Sequence, residues 1–129
     1  MLHPNQFQVN EAWIAFRLNE APVETEHDGT FNCIALMDAA SCFILGTTFV
    51  AAAESGPSKS QASNLLKDAR KHKEMFPATL FVPTGQFQGA LSSQAQQQGI
   101  SVISVDEIHL LVFVSDARQS FKEYFDRKQ

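Results

Sequence analysis

The sequence predicts an α/β domain on a mixed five-stranded sheet, with three antiparallel strands first and an α-β-α-β-α run after them. Three observations predict it. Residues 13–50 hold three apolar runs rich in aromatic and β-branched residues, separated by turn residues. From Ser58 the apolar residues recur with a helical spacing, behind a capping signal. Beyond that, two further short apolar runs alternate with helical segments, and right-handed crossovers place their strands parallel to the first.

Each element follows in order. Trp13–Leu18 is the first strand, and Ala21–Thr30, with Pro22, Asp28 and Gly29, is a loop. Phe31–Met37 and Phe43–Val50 form a hairpin around Asp38-Ala39-Ala40-Ser41. Both faces of this hairpin are apolar, so the sheet is expected to be covered on both sides. Ser58 and Gln61 make a capping box for a helix running to about Glu74, with Ala62, Leu65, Leu66 and Ala69 inward. Ala78–Val82 is a buried strand stopped by Pro83-Thr84-Gly85. Gln86–Gln98 is a helix capped at its start by Thr84, with Phe87, Leu91 and Ala95 inward and Gly99 as its left-handed stop. Ser101–Val105 is the fifth strand. Asp106 caps a last helical region, interrupted near Ser115, that buries Ile108, Leu111, Val112, Ala117, Phe121 and Phe125.

Composition bounds the function. At 129 residues, 44% apolar and 19% charged, the chain is one globular domain spanning 1–129, with a polar segment over residues 1–10. Its formal charge of -4 has the wrong sign for generic nucleic-acid binding. No apolar run approaches the roughly 18 residues of a membrane span, and the polar start is no signal peptide, so the expected location is cytoplasmic. Cys33 and Cys42 lack zinc or redox spacing, and His3, His27, His72 and His109 are scattered, so neither a metal nor another cofactor is expected. Ser41-Cys42 has no base at a recognisable spacing, and Thr84-Gly85 opening a helix is a weak anion signal.

Charge is uneven along the chain. Residues 1–58 carry Arg17 as their one base against seven acids, whereas residues 59–74 carry five bases against Asp68 and Glu74. Lys59, Lys67, Arg70 and Lys71 fall on one helix face, the candidate surface for nucleic-acid phosphates. Residues 75–105 contain no Asp, Glu, Lys or Arg. On the second helix this leaves Gly89, Ser92, Ser93, Gln96 and Gln97 as an uncharged outer face, a candidate for self-association as a homodimer or for a protein partner.

The hairpin Ile34–Gly46 resembles the second and third strands of retroviral-type integrase and transposase cores: an apolar run, Asp38, two residues, Ser41, then an apolar run closed by Gly46. Trp13 in the first strand echoes the same family, as do Gly85 and Phe87, the latter one residue early. The chain is also similar to bacterial domains of this outline without a known activity. The resemblance implies an RNase H-like fold over roughly Trp13–Phe125, and it implies where catalysis would sit. Such enzymes hold two Mg²⁺ ions on carboxylates because in-line phosphoryl displacement needs both oxygens stabilised. The first acid stands three residues after the tryptophan, where this chain has Phe16. The second ends the fourth strand, here Val82-Pro83-Thr84, and the third lies on the last helix, near Arg118. None is a carboxylate, and a shift of register brings in only Glu20 or Glu123. The alternative, a restriction-endonuclease-like fold, wants an Asp and then Glu-x-Lys on the adjoining strand, but Phe43–Val50 is uncharged. The sequence thus predicts a non-catalytic RNase H-like domain acting through association, with nucleic-acid binding or a divergent nuclease as alternatives.

Overall fold

A computed structural model of the chain describes residues 2–27, 29–87 and 89–127. Asp28 and Gln88, assigned above to a loop and a helix, lie outside the described residues, as does the side chain of Phe125. The strands are β1 (Ala12–Arg17), β2 (Val23–Thr25), β3 (Gly29–Asp38), β4 (Ile44–Ala51), β5 (Thr79–Pro83) and β6 (Ser101–Val105). The helices are α1 (Lys59–Arg70), α2 (Ala90–Gln97) and α3 (Leu111–Arg127).

The sheet has six strands where five were expected. The extra one, β2, lies within the expected loop and pairs antiparallel with β3 over Val23↔Phe31 to Thr25↔Gly29. β3 is long enough to hold β1 and then β2 along one edge and β4 along the other. The main order is therefore β4-β3-β1-β5-β6. β1, β5 and β6 run parallel, while β3 is antiparallel to β1 and to β4.

Period-two alternation divides the strand residues between two cores, as the two apolar faces predicted. Trp13, Ala15, Ile34 and Leu36 meet Leu65 and Leu66 of α1 and Leu91 of α2. Ile14, Phe16, Ala35 and Met37 meet Phe113 and Val114 of α3. Gly46, which closes the integrase-like hairpin, sits beneath α1, where an added Cβ would lie 3.3 Å from Leu65 Cδ1. A side chain there would require Leu65 to give by a few tenths of an ångström.

α1 begins with the expected capping box, Ser58 accepting from the Gln61 N–H and Gln61 returning its Oε1 to the Ser58 N–H. It stops at Arg70, short of Glu74, which takes a left-handed φ of 56° in the turn that follows. Two side chains from this region reach the outer edge of β4. Gln61 Nε2 donates to the Phe49 carbonyl at 2.8 Å, and His72 Nε2 bonds the Leu45 carbonyl at 3.0 Å.

α2 starts at Ala90 instead of Gln86, because Phe87 adopts φ 57° and folds into the core ahead of the helix. Gly89, not Thr84, is its N-cap. At the far end Gly99 is left-handed and the Ile100 N–H reaches the Ala95 carbonyl, the expected glycine stop.

The last helical region breaks at Leu110 and not at Ser115: Glu107–His109 is a 3-10 turn and α3 follows it. Asp106 makes no side-chain cap bond. Leu110, Phe113 and Val114 are buried, but Ile108, Leu111 and Val112, expected inside, are 71%, 40% and 50% exposed. A 3-10 turn advances with three residues per turn, so the inward face is out of phase with a continuous helix.

Candidate functional site

The structure brings two of the three acid positions implied by the family resemblance into one place. Phe16 is buried in the α3-side core, and the Arg118 guanidinium lies over its ring, 5.9 Å from the centroid. The remaining position, the second acid's, falls at Val82 and Pro83, both buried, and exposed Thr84. Arg118 is held from two further directions. Its Nε–H donates to the Arg17 carbonyl at 3.0 Å, and it pairs with Glu107 at 2.7 Å, with only 12% of its side chain exposed. A planar cation over an aromatic face with a carboxylate at its edge is a self-satisfied arrangement. Glu107, absent from the sequence-derived candidates, is therefore the partner that completes this cluster.

These residues do not fit a pair of divalent cations. At the positions the resemblance implies, a phenyl ring supplies hydrocarbon and a guanidinium supplies positive charge, where a metal needs negative. Glu123 instead accepts from Gln119 Nε2 at 3.1 Å, and Glu20 is exposed beyond the end of β1. Among the described residues no three His, Cys, Asp or Glu side chains converge.

Asp38 and Ser41 serve the hairpin turn. Asp38 Oδ2 accepts from both the Ser41 N–H and hydroxyl, at 2.9 and 2.8 Å, and Oδ1 accepts from the Asn10 N–H at 2.7 Å. The Asp-x-x-Ser spacing is thus a side-chain cap on the turn that also ties in the N-terminal segment. The Ser41 hydroxyl donates to Asp38 and accepts from the Phe43 N–H, while the Nε2 of His72 engages Leu45.

Both cysteines are free. Burial pushes the Cys33 thiol from its ordinary 9.0 up to about 11. Because the folded chain holds this proton more tightly than the unfolded one, the stability it contributes is full below pH 9 and falls as pH rises towards 11. Wild type is expected to lose about 2 kcal/mol more than Cys33→Ala across that interval. Denaturant titrations at each pH check this, and parallel curves for the two proteins would refute it.

Lys59, Lys67, Arg70 and Lys71 are all exposed on α1 or at its end. Lys59 opens the helix while the other three gather at its last turn and cap. There Arg70 lies 5.2 Å over the Phe76 ring and Lys71 pairs with Asp68 at 3.3 Å. On α2, Gly89, Ser93, Gln96 and Gln97 are exposed, but Ser92, expected outside, is buried. Its hydroxyl donates to the Phe87 carbonyl, which the left-handed backbone at Phe87 turns toward the first helical turn.

No family model and no curated protein sequence matches the chain. Solved structures do. A chain of the simian T-cell lymphotropic virus intasome, determined in complex with PP2A regulatory subunit B56 gamma, superposes with a TM-score of 0.61 at 13% identity. The match covers 92% of this chain and 42% of that one, so this chain spans less than half of its structural neighbour. The HTLV-2 integrase catalytic core domain in complex with magnesium gives 0.49 at 9% identity, covering 86% of this chain and 84% of that one. An endonuclease V from Bacillus subtilis gives 0.39 at 17% identity, covering 81% and 46% respectively. With the β4-β3-β1-β5-β6 order, the first likeness defines the class: the chain has an RNase H-like fold. No helix among the described residues is long and apolar enough to cross a membrane.

Proposed function

We propose that this chain is a non-catalytic RNase H-like domain that acts by associating with protein, including a second copy of itself. One observation carries the reading: Arg118, stacked on Phe16 and paired with Glu107, occupies the ground that metal-binding carboxylates would need. What the domain offers instead is surface. The outer face of α2 presents Gly89, Ser93, Gln96 and Gln97 without charge, and glutamines can bond symmetry mates without the desolvation cost of an ion. The two free thiols fit a reducing cytoplasm.

The test has two arms. Incubated with labelled DNA or RNA and Mg²⁺ or Mn²⁺, the protein is expected to show no cleavage and no strand joining. Metal-dependent activity that disappears on Glu107→Gln would overturn the reading. In light scattering at tens of micromolar a dimer is expected, which Ser93→Arg with Gln97→Glu dissolves while the circular dichroism spectrum stays unchanged. A strict monomer removes the self-association half, and a dimer indifferent to both changes uses another face.

The exposure of Lys59, Lys67, Arg70 and Lys71 supports nucleic-acid binding as a second reading, with phosphate contacts made by α1. Salt-sensitive mobility shifts lost in a Lys67, Arg70, Lys71 triple alanine variant are its signature. Unchanged mobility of DNA and RNA at low salt ends it.

A further inference from the structure

On the α3 side of the sheet, a groove of about 500 Å³ runs between α3 and the β3–β4 hairpin. Met37, Ile44, Val112 and Phe113 supply its apolar walls, and Cys42 and Asp116 stand among them. Among the described residues its one charged lining residue is Asp116, and no base lines it. Asp116 is exposed and makes no ion pair among the described residues. Val112 is half exposed although apolar, so this wall is open to an occupant.

We infer that this groove takes a small organic cation with an apolar body, of the aryl- or alkylamine class. The volume falls inside the roughly 300–1,000 Å³ typical of small-molecule sites, which combine apolar walls with a few placed polar groups. An aliphatic or aromatic body lies against Met37, Ile44 and Val112, and the ammonium sits beside the Asp116 carboxylate. The sign of the charge is set by the lining. A carboxylate ligand would meet Asp116 with no base to offset it among the described residues, whereas an amine gains from the same group. Cys42, beside Asp116 in this lining, has its thiol pKa raised first by burial and then by the Asp38 and Asp116 carboxylates. Phe16, Glu107 and Arg118 are not among the groove's lining residues, so its occupancy is tested apart from the proposed loss of catalysis.

The experiment is a ¹⁵N–¹H NMR titration of the wild-type chain with phenylbutylamine, phenylbutyrate and phenylbutanol, which share a body and differ in charge. Phenylbutylamine is expected to shift the amides of Cys42, Ile44, Val112 and Asp116 with a Kd of about 1 mM, ordinary for a ligand of this size. Phenylbutyrate should bind about fivefold more weakly, the combined effect of one attraction gained and one repulsion removed at an exposed carboxylate. Asp116→Asn should bring the two within about twofold of each other. Ala117→Trp, which fills the groove, should abolish both. If that variant does not fold, alkylating Cys42 with N-ethylmaleimide blocks the groove instead, because Cys33 is buried.

Equal affinities for amine and carboxylate in the wild type would overturn the inference, as would shifts confined to other surfaces or no shifts at all. Groove shifts that depend on protein concentration without any probe would assign it to a second copy. Displacement of the amine by a leucine-lysine amphipathic peptide that binds far more tightly would assign it to a partner helix. Either result replaces the small-molecule reading.

Discussion

Replacing Trp13 with alanine is expected to lower the unfolding free energy by about 4 kcal/mol. Trp13 lies on β1, between β3 and β5, and is fully buried. Its ring packs edge-on to Phe76, 6.1 Å between centroids, and its indole N–H donates to Asn10 Oδ1 at 2.8 Å. Removing it opens a large cavity in the α1-side core. It also releases Asn10, whose left-handed φ of 66° is held by that bond, by its N–H to Asp38 and by its Nδ2 to the Met75 carbonyl. Urea titration followed by far-ultraviolet circular dichroism measures the loss without needing the missing fluorophore. Trp13→Phe keeps most of the volume and should cost about 1–2 kcal/mol, so it separates cavity from hydrogen bond. A Trp13→Ala protein within about 1 kcal/mol of wild type would contradict the packing described.

Asp38→Ala is expected to cost about 3 kcal/mol. The carboxylate is buried and accepts three hydrogen bonds, so its loss strands the Ser41 and Asn10 N–H groups together. Asp38→Asn retains one acceptor oxygen and turns the other into a donor facing donors. It should therefore recover only part of the loss. Beyond the global change, hydrogen exchange at Asn10 and Ser41 should accelerate in both variants relative to the sheet amides. Wild-type exchange at those two amides would show that the turn stands without its carboxylate.

Signals confined to a few neighbouring residues were legible in the sequence. The Ser58–Gln61 box, the Gly99 stop and the two apolar faces of the hairpin each depend on chemistry within one or two turns of chain. β2 was not legible because three residues, one of them Glu24, gain strand geometry only from the far end of β3. The left-handed Phe87 carries no glycine to announce it, so both the start of α2 and the burial of Ser92 were misplaced. Ile108, Leu111 and Val112 have core chemistry at helical spacing, and only the 3-10 turn before α3 puts them in water. At the site, the resemblance implied acid positions at Phe16, three residues after Trp13, and near Arg118 on the last helix. Their mutual packing could not be read from it, since Arg118 bonds a carbonyl 101 residues away and sequence spacing says nothing about such a pair.

The side-chain bonds from Gln61 and His72 to β4 bear on how the protein behaves when crowded. β4 has eight residues, none charged and none proline, at the outer margin of the sheet, with Phe49 half exposed. Such a strand is a template on which other chains can add, the first step towards cross-β assembly. Here two carbonyls that a foreign strand would need, those of Leu45 and Phe49, are already taken. A carbonyl only accepts, so His72 bonds it through Nε2–H. Two side-chain contacts from the segment that follows β4 thus guard part of this margin, and partial unfolding of α1 would release it before it exposed much of the core.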